Sequence, residues 1–384
     1  MTASLFDRLR ERAVEIHVAD HLRARLNRGD KIRVKLGLDP TAPDIHVGHL
    51  VVLDVLRAFQ EEGHTVVLII GDYTAQIGDP SGRSETRPML TREQVIGNAA
   101  TYMEQVDIVL DRSKTEVRHN SEWLAEMGAA DILRLMGKAT LQQVLQREDF
   151  ANRIKDGAPI GAHEVLYPFS QAYDSVAIHA DLEIGGTDQL FNLLFGREIQ
   201  QGFGQEPQDV AVFPLLEGPD GRRMSKSLGN YISISEAPEQ IYGKTMSIPD
   251  RLTEQYLRLI SGFGAKRIDE VLALKPRDAK AALAKQLVVR LHGDEAADRA
   301  EAAFVSQFVK KEVPDDITDY PTGGPMDLLT VLVKSAIARS GNDARRLVEQ
   351  GGVRVNGDKV DLKFPRLLQR ADVISARRRF IRII

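Results

Sequence analysis

The 384-residue sequence contains no cysteine. That excludes disulfides, thiolate metal sites and a cysteine nucleophile, and it suits a reducing compartment such as the cytoplasm. No run of about 18 apolar residues is present that could cross a membrane as a helix. The opening stretch, MTASLFDRLRERAVEIHVADHL, lacks the apolar centre of a secretory signal; its charges alternate with apolar residues at helical spacing, and it reads as a helix. Two common glycine-rich nucleotide loops are also missing. Gly243-Lys244-Thr245 has Pro238 where a P-loop needs glycine, and Gly202-Phe203-Gly204 runs into Pro207 in place of a third glycine. There is no internal repeat and no low-complexity tract.

What is present is the make-up of a globular protein, 43% hydrophobic and 28% charged, in a chain long enough for two or three domains. The net charge of −4 is unevenly spread. From Pro325 to Ile384 there are 13 Lys and Arg against 6 Asp and Glu, or +7, which leaves −11 for the rest. A basic terminal module on an acidic body points to a polyanionic partner such as RNA.

Ile32 to Leu38 alternates like a strand, and Thr65 to Gly71 is an apolar run that reads as a buried one. Between them, Val47, Leu50, Val51, Val55, Ala58 and Phe59 recur at helical spacing, with Asp54, Arg57, Glu61 and Glu62 opposite and Gly63 as terminator. Strand, helix, strand is a βαβ unit. Further strands are expected at Leu182 to Gly185 and Val210 to Leu215. The fold class is therefore α/β, a Rossmann-like doubly wound parallel sheet over residues 1–231. Beyond Ser235 the pattern is helical, at Arg251 to Ser261, Arg277 to His292 and Asp294 to Lys310, giving an all-helical domain over 232–318. Asp319 to Met326 gathers Pro and Gly and reads as a linker, 319–326, before a small α+β domain at 327–384.

Three motifs carry chemistry. Asp39-Pro40-Thr41-Ala42-Pro43-Asp44-Ile45-His46-Val47-Gly48-His49 joins the first strand to the following helix. A helix N-terminus offers unpaired N–H groups to phosphate, and Gly48 lets a nucleotide approach the backbone. His46 and His49 could instead only cap and pack; zinc lacks a cysteine or an evident third ligand. Gly221-Arg222-Arg223-Met224-Ser225-Lys226-Ser227-Leu228-Gly229-Asn230 follows the last expected strand, with cations and hydroxyls suited to phosphate. In isolation it could be an ordinary solvated turn. Third, Tyr167, Gln171 and Asp174 fall on one face of a helix. Two strand-end loops accompany them, Ile77-Gly78-Asp79-Pro80-Ser81-Gly82-Arg83 and Ile184-Gly185-Gly186-Thr187-Asp188-Gln189.

The first two motifs together resemble the paired signature of class I aminoacyl-tRNA synthetases, His-x-Gly-His early and Lys-Met-Ser-Lys-Ser late. With the third set the chain resembles the tyrosyl-tRNA synthetases of bacteria, from about Ile32 to Met246. The resemblance implies ATP-dependent activation of L-tyrosine and its transfer to the tyrosine tRNA. It gives Asp79, Tyr167 and Gln171 to the tyrosine ammonium, Asp174 to the phenol hydroxyl and Gln189 to the carboxylate. Asp39, Thr41, His46, Gly48 and His49 would hold ATP, and Gly186 and Asp188 the ribose. Lys226, within Met224-Ser225-Lys226, would act with Arg83 and Arg87 on the leaving pyrophosphate. Magnesium would accompany ATP, with no tightly held metal, and a homodimer is implied. Residues 1–231 would contain a connective insert and 232–318 would lie on the anticodon side of the tRNA. Three positions depart from the pattern. Lys35, counted with the tyrosine-binding residues, stands where many members have a second phenol-binding tyrosine, Glu183 where many have glutamine, and Arg223 at the first lysine of Lys-Met-Ser-Lys-Ser.

Ser340 to Gly357 reads as a capped helix ending at Gly351-Gly352, then a hairpin through Asn356-Gly357. It resembles the RNA-binding domain named after the fourth small-subunit ribosomal protein. That likeness gives Arg345, Arg346 and Arg354 to RNA.

Overall fold

The computed structural model describes residues 4–81, 89–224, 229–310, 317–321, 324, 326–362, 367–377 and 379–384. The chain folds as two units, Met1–Gly293 and Asp294–Ile384.

Six strands organise the first unit: β1 (Glu15–His17), β2 (Arg33–Leu38), β3 (Thr65–Ile70), β4 (Thr115–His119), β5 (Leu182–Gly186) and β6 (Asp209–Phe213). Their order is β1-β6-β5-β2-β3-β4, parallel throughout except for β1 on β6. From β2 the chain winds outward through β3 and β4, then returns to the other side of β2 for β5 and β6. That reversal is a topological switch, where open α/β sheets bind ligands beyond the strands' carboxyl ends. Register opens the crevice. β2 pairs with β5 through Val34–Leu182 and Lys35–Glu183, whereas it follows β3 as far as Leu38 and β5 follows β6 as far as Gly186. Past Lys35 and Glu183 the two strands part.

β3 is a β-branched and leucine run with all but its first residue buried, as a central parallel strand requires. The helix Leu50–Glu61 covers it, burying Leu50, Leu53, Leu56 and Phe59 among others. Each such side chain contributes about 1.5–3 kcal/mol when fully buried. Gly63, at φ +76°, turns the chain into β3. Helices Pro238–Met246, Thr253–Ile260, Ala265–Leu272 and Pro276–His292 complete this unit. Arg290 on the last of them pairs with Asp54 of Leu50–Glu61 at 2.6 Å, so the helical segment as far as Gly293 is fastened to the sheet.

The single N-terminal helix expected from charge alternation is not what forms. Helix Leu5–Arg12 stops at Ala13, β1 follows, and helix Ala19–Arg28 begins after Val18, at φ +61°. The backbone of Val14 donates to Val212 at 2.8 Å, so an available sheet edge captures the β-branched stretch Val14–Val18.

The second unit carries helix Asp294–Phe304, continuing as π-helical Val305–Lys310, and strands β7 (Thr318–Tyr320), β8 (Met326–Asp327), β9 (Val353–Val355), β10 (Asp358–Lys359), β11 (Leu367–Leu368), β12 (Val373–Ala376) and β13 (Arg379–Ile383). Five form a sheet in the order β10-β9-β12-β13-β7, and β8 pairs with β11. Helices Leu328–Lys334 and Gly341–Glu349 share a core with it that includes Val331, Leu332, Ala344, Val353 and Ile374. β7 runs parallel to β13, so the stretch read as a linker from Asp319 begins inside the sheet. The hairpin turn is as expected: Asn356 and Gly357 both have positive φ, 53° and 89°.

Candidate active site

The crevice between β2 and β5 is a cavity of about 910 Å³, of a size for a nucleotide or small molecule. At one end the turn Val47–His49 leads into helix Leu50–Glu61. His46 Nδ1 accepts from Gly48 N at 3.2 Å, His46 N donates to His49 Nδ1 at 3.3 Å, and the two rings lie 4.1 Å apart. A Cβ on Gly48 would fall 2.9 Å from the His46 ring, so glycine is what lets the turn close. The segment after the basic loop braces it from outside: Val47 N donates to Ile232 O at 2.9 Å and Tyr231 OH to Asp44 at 3.0 Å.

Asp39, at the end of β2, accepts from Thr74 Oγ1 at 2.7 Å and Tyr167 OH at 2.9 Å. Burial first, then Asp39 and Asp79, push the Tyr167 phenol well above its ordinary value and keep it a donor. Thr41, Gly186, Asp188 and Met224 also line the cavity. Arg223 reaches Asp188 at 2.5 Å and so ties the start of the basic loop to the end of β5.

Tyr167, Gln171 and Asp174, from helix Leu166–Ile178, all face the cavity. Gln171 Oε1 is buried and has no hydrogen-bond partner among the described residues, which leaves an acceptor for a ligand's donor. Asp79 accepts from Gln189 Nε2 at 2.9 Å and Ser81 Oγ at 2.7 Å, and Arg147 stands 3.3 Å away. Burial alone would raise this carboxyl, but Arg147 with Ser81 and Gln189 outweighs it and holds it below the ordinary carboxylate value. Asp174 accepts from Trp123 Nε1 at 2.8 Å and Asn120 Nδ2 at 3.3 Å. Burial pushes it up to about 7 against the opposing pull of Lys35, Trp123 and Asn120. Lys35 does not line the cavity. Its ammonium lies beneath the floor, 2.9 Å from Glu183.

Arg147, Asn120 and Trp123 escaped the sequence reading. They come from short connecting segments with no periodic relation to the strands or to helix Leu166–Ile178. A buried arginine at Arg147 was signalled only by the aromatic and acidic residues around it, Asp149, Phe150 and Phe191. Arg83, Arg87, Ser225 and Lys226 lie outside the described residues. Among the described residues no three His, Asp or Glu converge as metal ligands.

A family profile described as tRNA synthetases class I (W and Y) matches residues 27–309, and one for the S4 domain matches 327–365. A tyrosine–tRNA ligase of Thermotoga maritima is 50% identical over 93% of this chain and 91% of its own length. One from Carboxydothermus hydrogenoformans is 49% identical over 96% and 94%. The chain belongs to the tyrosine–tRNA ligase family. Among solved structures, a C-terminally truncated mitochondrial tyrosyl-tRNA synthetase of Aspergillus nidulans has a TM-score of 0.67 at 23% identity, covering 79% of this chain and 94% of that one. The Archaeoglobus fulgidus tyrosyl-tRNA synthetase complexed with L-tyrosine scores 0.63 at 24%, covering 78% and 100%. These two likenesses are of fold. In the family's S4 module, Arg345 and Arg346 are exposed on helix Gly341–Glu349. Arg346 pairs with Asp343 at 3.0 Å, while Arg354, on β9, donates to Gly357 O at 2.8 Å.

Proposed function

We propose that the chain activates L-tyrosine with ATP and transfers it to the tyrosine tRNA, as the relatives' name describes. One observation carries the reading: Tyr167, Gln171 and Asp174 on one helix face converge with Asp79 on a cavity that His46, Gly48 and His49 also line. Asp79, with Tyr167 and Gln171, receives the ammonium; Asp174 accepts the phenol hydroxyl; Gln189 lies by the carboxylate. Asp39, Thr41, His46, Gly48 and His49 hold ATP, with Gly186 and Asp188 on the ribose.

The tyrosine carboxylate attacks the α-phosphorus in line and expels pyrophosphate, a step that needs no protein nucleophile. Catalysis is therefore positioning and stabilisation of phosphate charge, by His46, His49, Lys226, Arg83 and Arg87, with Met224 and Ser225 beside the nucleotide. Magnesium belongs to the substrate MgATP, whose phosphates supply the oxygens this ion prefers. The terminal ribose hydroxyl of tRNA then attacks the carbonyl carbon of the adenylate, forming the tyrosyl ester as the bond to phosphate breaks and AMP leaves. Residues 232–318 serve the anticodon side, Arg345, Arg346 and Arg354 contact RNA, and the enzyme works as a cytoplasmic homodimer.

Tyrosine-dependent exchange of pyrophosphate into ATP is the test. Exchange with tyrosine and none with tryptophan or phenylalanine is expected. Exchange driven by tryptophan would assign the chain to the other branch of the family, and no exchange would make it a binding protein.

A further inference from the structure

Lys35 and Glu183 face each other at the last register position before β2 and β5 diverge. Both are almost wholly buried, 0% and 2% exposed, with Nζ to Oε1 at 2.9 Å. The remaining valences are filled. Lys35 Nζ also donates to Ser175 Oγ at 2.8 Å and Gln171 O at 3.1 Å, and Glu183 Oε2 accepts from Ser175 at 3.2 Å and Gln208 at 2.5 Å. A buried pair whose three ammonium protons and both carboxylate oxygens are engaged is costly to assemble and more costly to break on one side. Here it grips helix Leu166–Ile178 at Gln171 and Ser175, on either side of Asp174.

We infer that the Lys35–Glu183 pair is a positioning device for Asp174: Lys35 favours its anionic form facing the substrate hydroxyl, and Glu183 keeps the ammonium beneath the floor. The inference rests on the tyrosine-activating reading above.

Asp174 is faced by Lys35 from β2, Glu183 from β5, and Asn120 and Trp123 from the segment after β4. Asn120 passes the network on through Thr74 to Asp39, to which Tyr167 of the same helix also donates. Of the charged groups, Lys35 favours the anion and Glu183 opposes it, with Lys35 the stronger. An anionic acceptor left without a partner penalises phenylalanine; a protonated carboxyl penalises it less.

The two charges therefore predict opposite displacements. Glu183→Gln should move the acid limb of kcat/KM for tyrosine to lower pH. Lys35→Met leaves Glu183 buried without its cation and is at risk of misfolding, so the decisive variant is Lys35→Met/Glu183→Gln. It should raise the acid limb by about one pH unit and cut tyrosine-over-phenylalanine discrimination at pH 7 by about fivefold. Trp123, the sole tryptophan, bonds to Asp174 and gives a reading independent of catalysis. The pH midpoint of its fluorescence should rise in the double variant and fall in Glu183→Gln. A folded double variant with unchanged limb, ratio and fluorescence midpoint overturns the inference, as does displacement of both variants in the same direction. Wild-type protein without tyrosine-dependent exchange would sink the functional reading instead, and the fluorescence titration would still decide whether the pair controls Asp174.

Discussion

Asp174 is the group in which stability and selectivity pull apart. Its carboxyl is buried and pushed up to about 7, so between its unfolded value and pH 7 the folded chain holds a proton that the unfolded chain has released. That contribution is present at low pH and lost as pH rises through about 7. Asp174→Asn should therefore melt higher than wild type at pH 8, by about 2 °C or more, with the gain vanishing near pH 4. Differential scanning fluorimetry across that range checks it, while phenylalanine rejection declines. Asp79 is the opposite case, held below its ordinary value by Arg147, Ser81 and Gln189 against the effect of burial. Its contribution is complete at neutral pH and fades as pH falls through the lowered value. Arg147→Met leaves that carboxylate buried without its cation, and urea unfolding should show a loss of about 3 kcal/mol at pH 7 that narrows toward acid. The helix-face residues around these carboxylates were legible because a period of three and four names one face. Arg147, Trp123 and Asn120 were not, since two separate connections, the segment after β4 and the one before helix Glu148–Lys155, bring them in and only the folded sheet sets their positions.

Gly71 shows what an element's end contributes. It directly follows β3, and a Cβ there would fall 1.9 Å from Asp39 Oδ1 and 2.5 Å from Thr74 Oγ1. Gly71→Ala must displace Asp39 from both Thr74 and Tyr167, and misplacing a site group by about 1 Å costs on the order of 100-fold in rate. Gly243, inside helix Pro238–Met246, has open space around it, so Gly243→Ala should leave exchange unaltered and gain up to about 1 kcal/mol. Comparing the two variants in pyrophosphate exchange and in urea unfolding separates the close contact from a general glycine effect. The strands that frame the site were readable because buried parallel strands are apolar runs. β1 was not: with three residues and a mixed burial pattern, it takes its strand form from the edge of β6. β4, Thr-Glu-Val-Arg-His, is a half-buried polar edge whose alternation is too short to stand out.

Across the whole molecule, the charge split was plain in the sequence, while the place where the units divide was not. Arg290 and Arg12 both reach Asp54 across long stretches of chain, which makes the helices up to Gly293 part of the catalytic unit. β7 joins the C-terminal sheet by backbone pairing with β13, and such pairing leaves no side-chain signature. A chain ending at Lys310 would lose β7 and the whole basic sheet but none of the residues assigned to tyrosine or ATP, and it keeps the span matched by the synthetase profile. Once circular dichroism has shown it folded, this truncated chain should exchange pyrophosphate at close to the full rate. Charging of tRNA should fall by at least about tenfold, and the dependence of RNA affinity on salt should flatten, because each lost phosphate contact removes about one unit from the slope. Loss of both activities in a folded protein would mean that the tail supports the catalytic body. Full charging would mean that the RNA contacts lie before Lys310, and that the +7 segment serves some other polyanion.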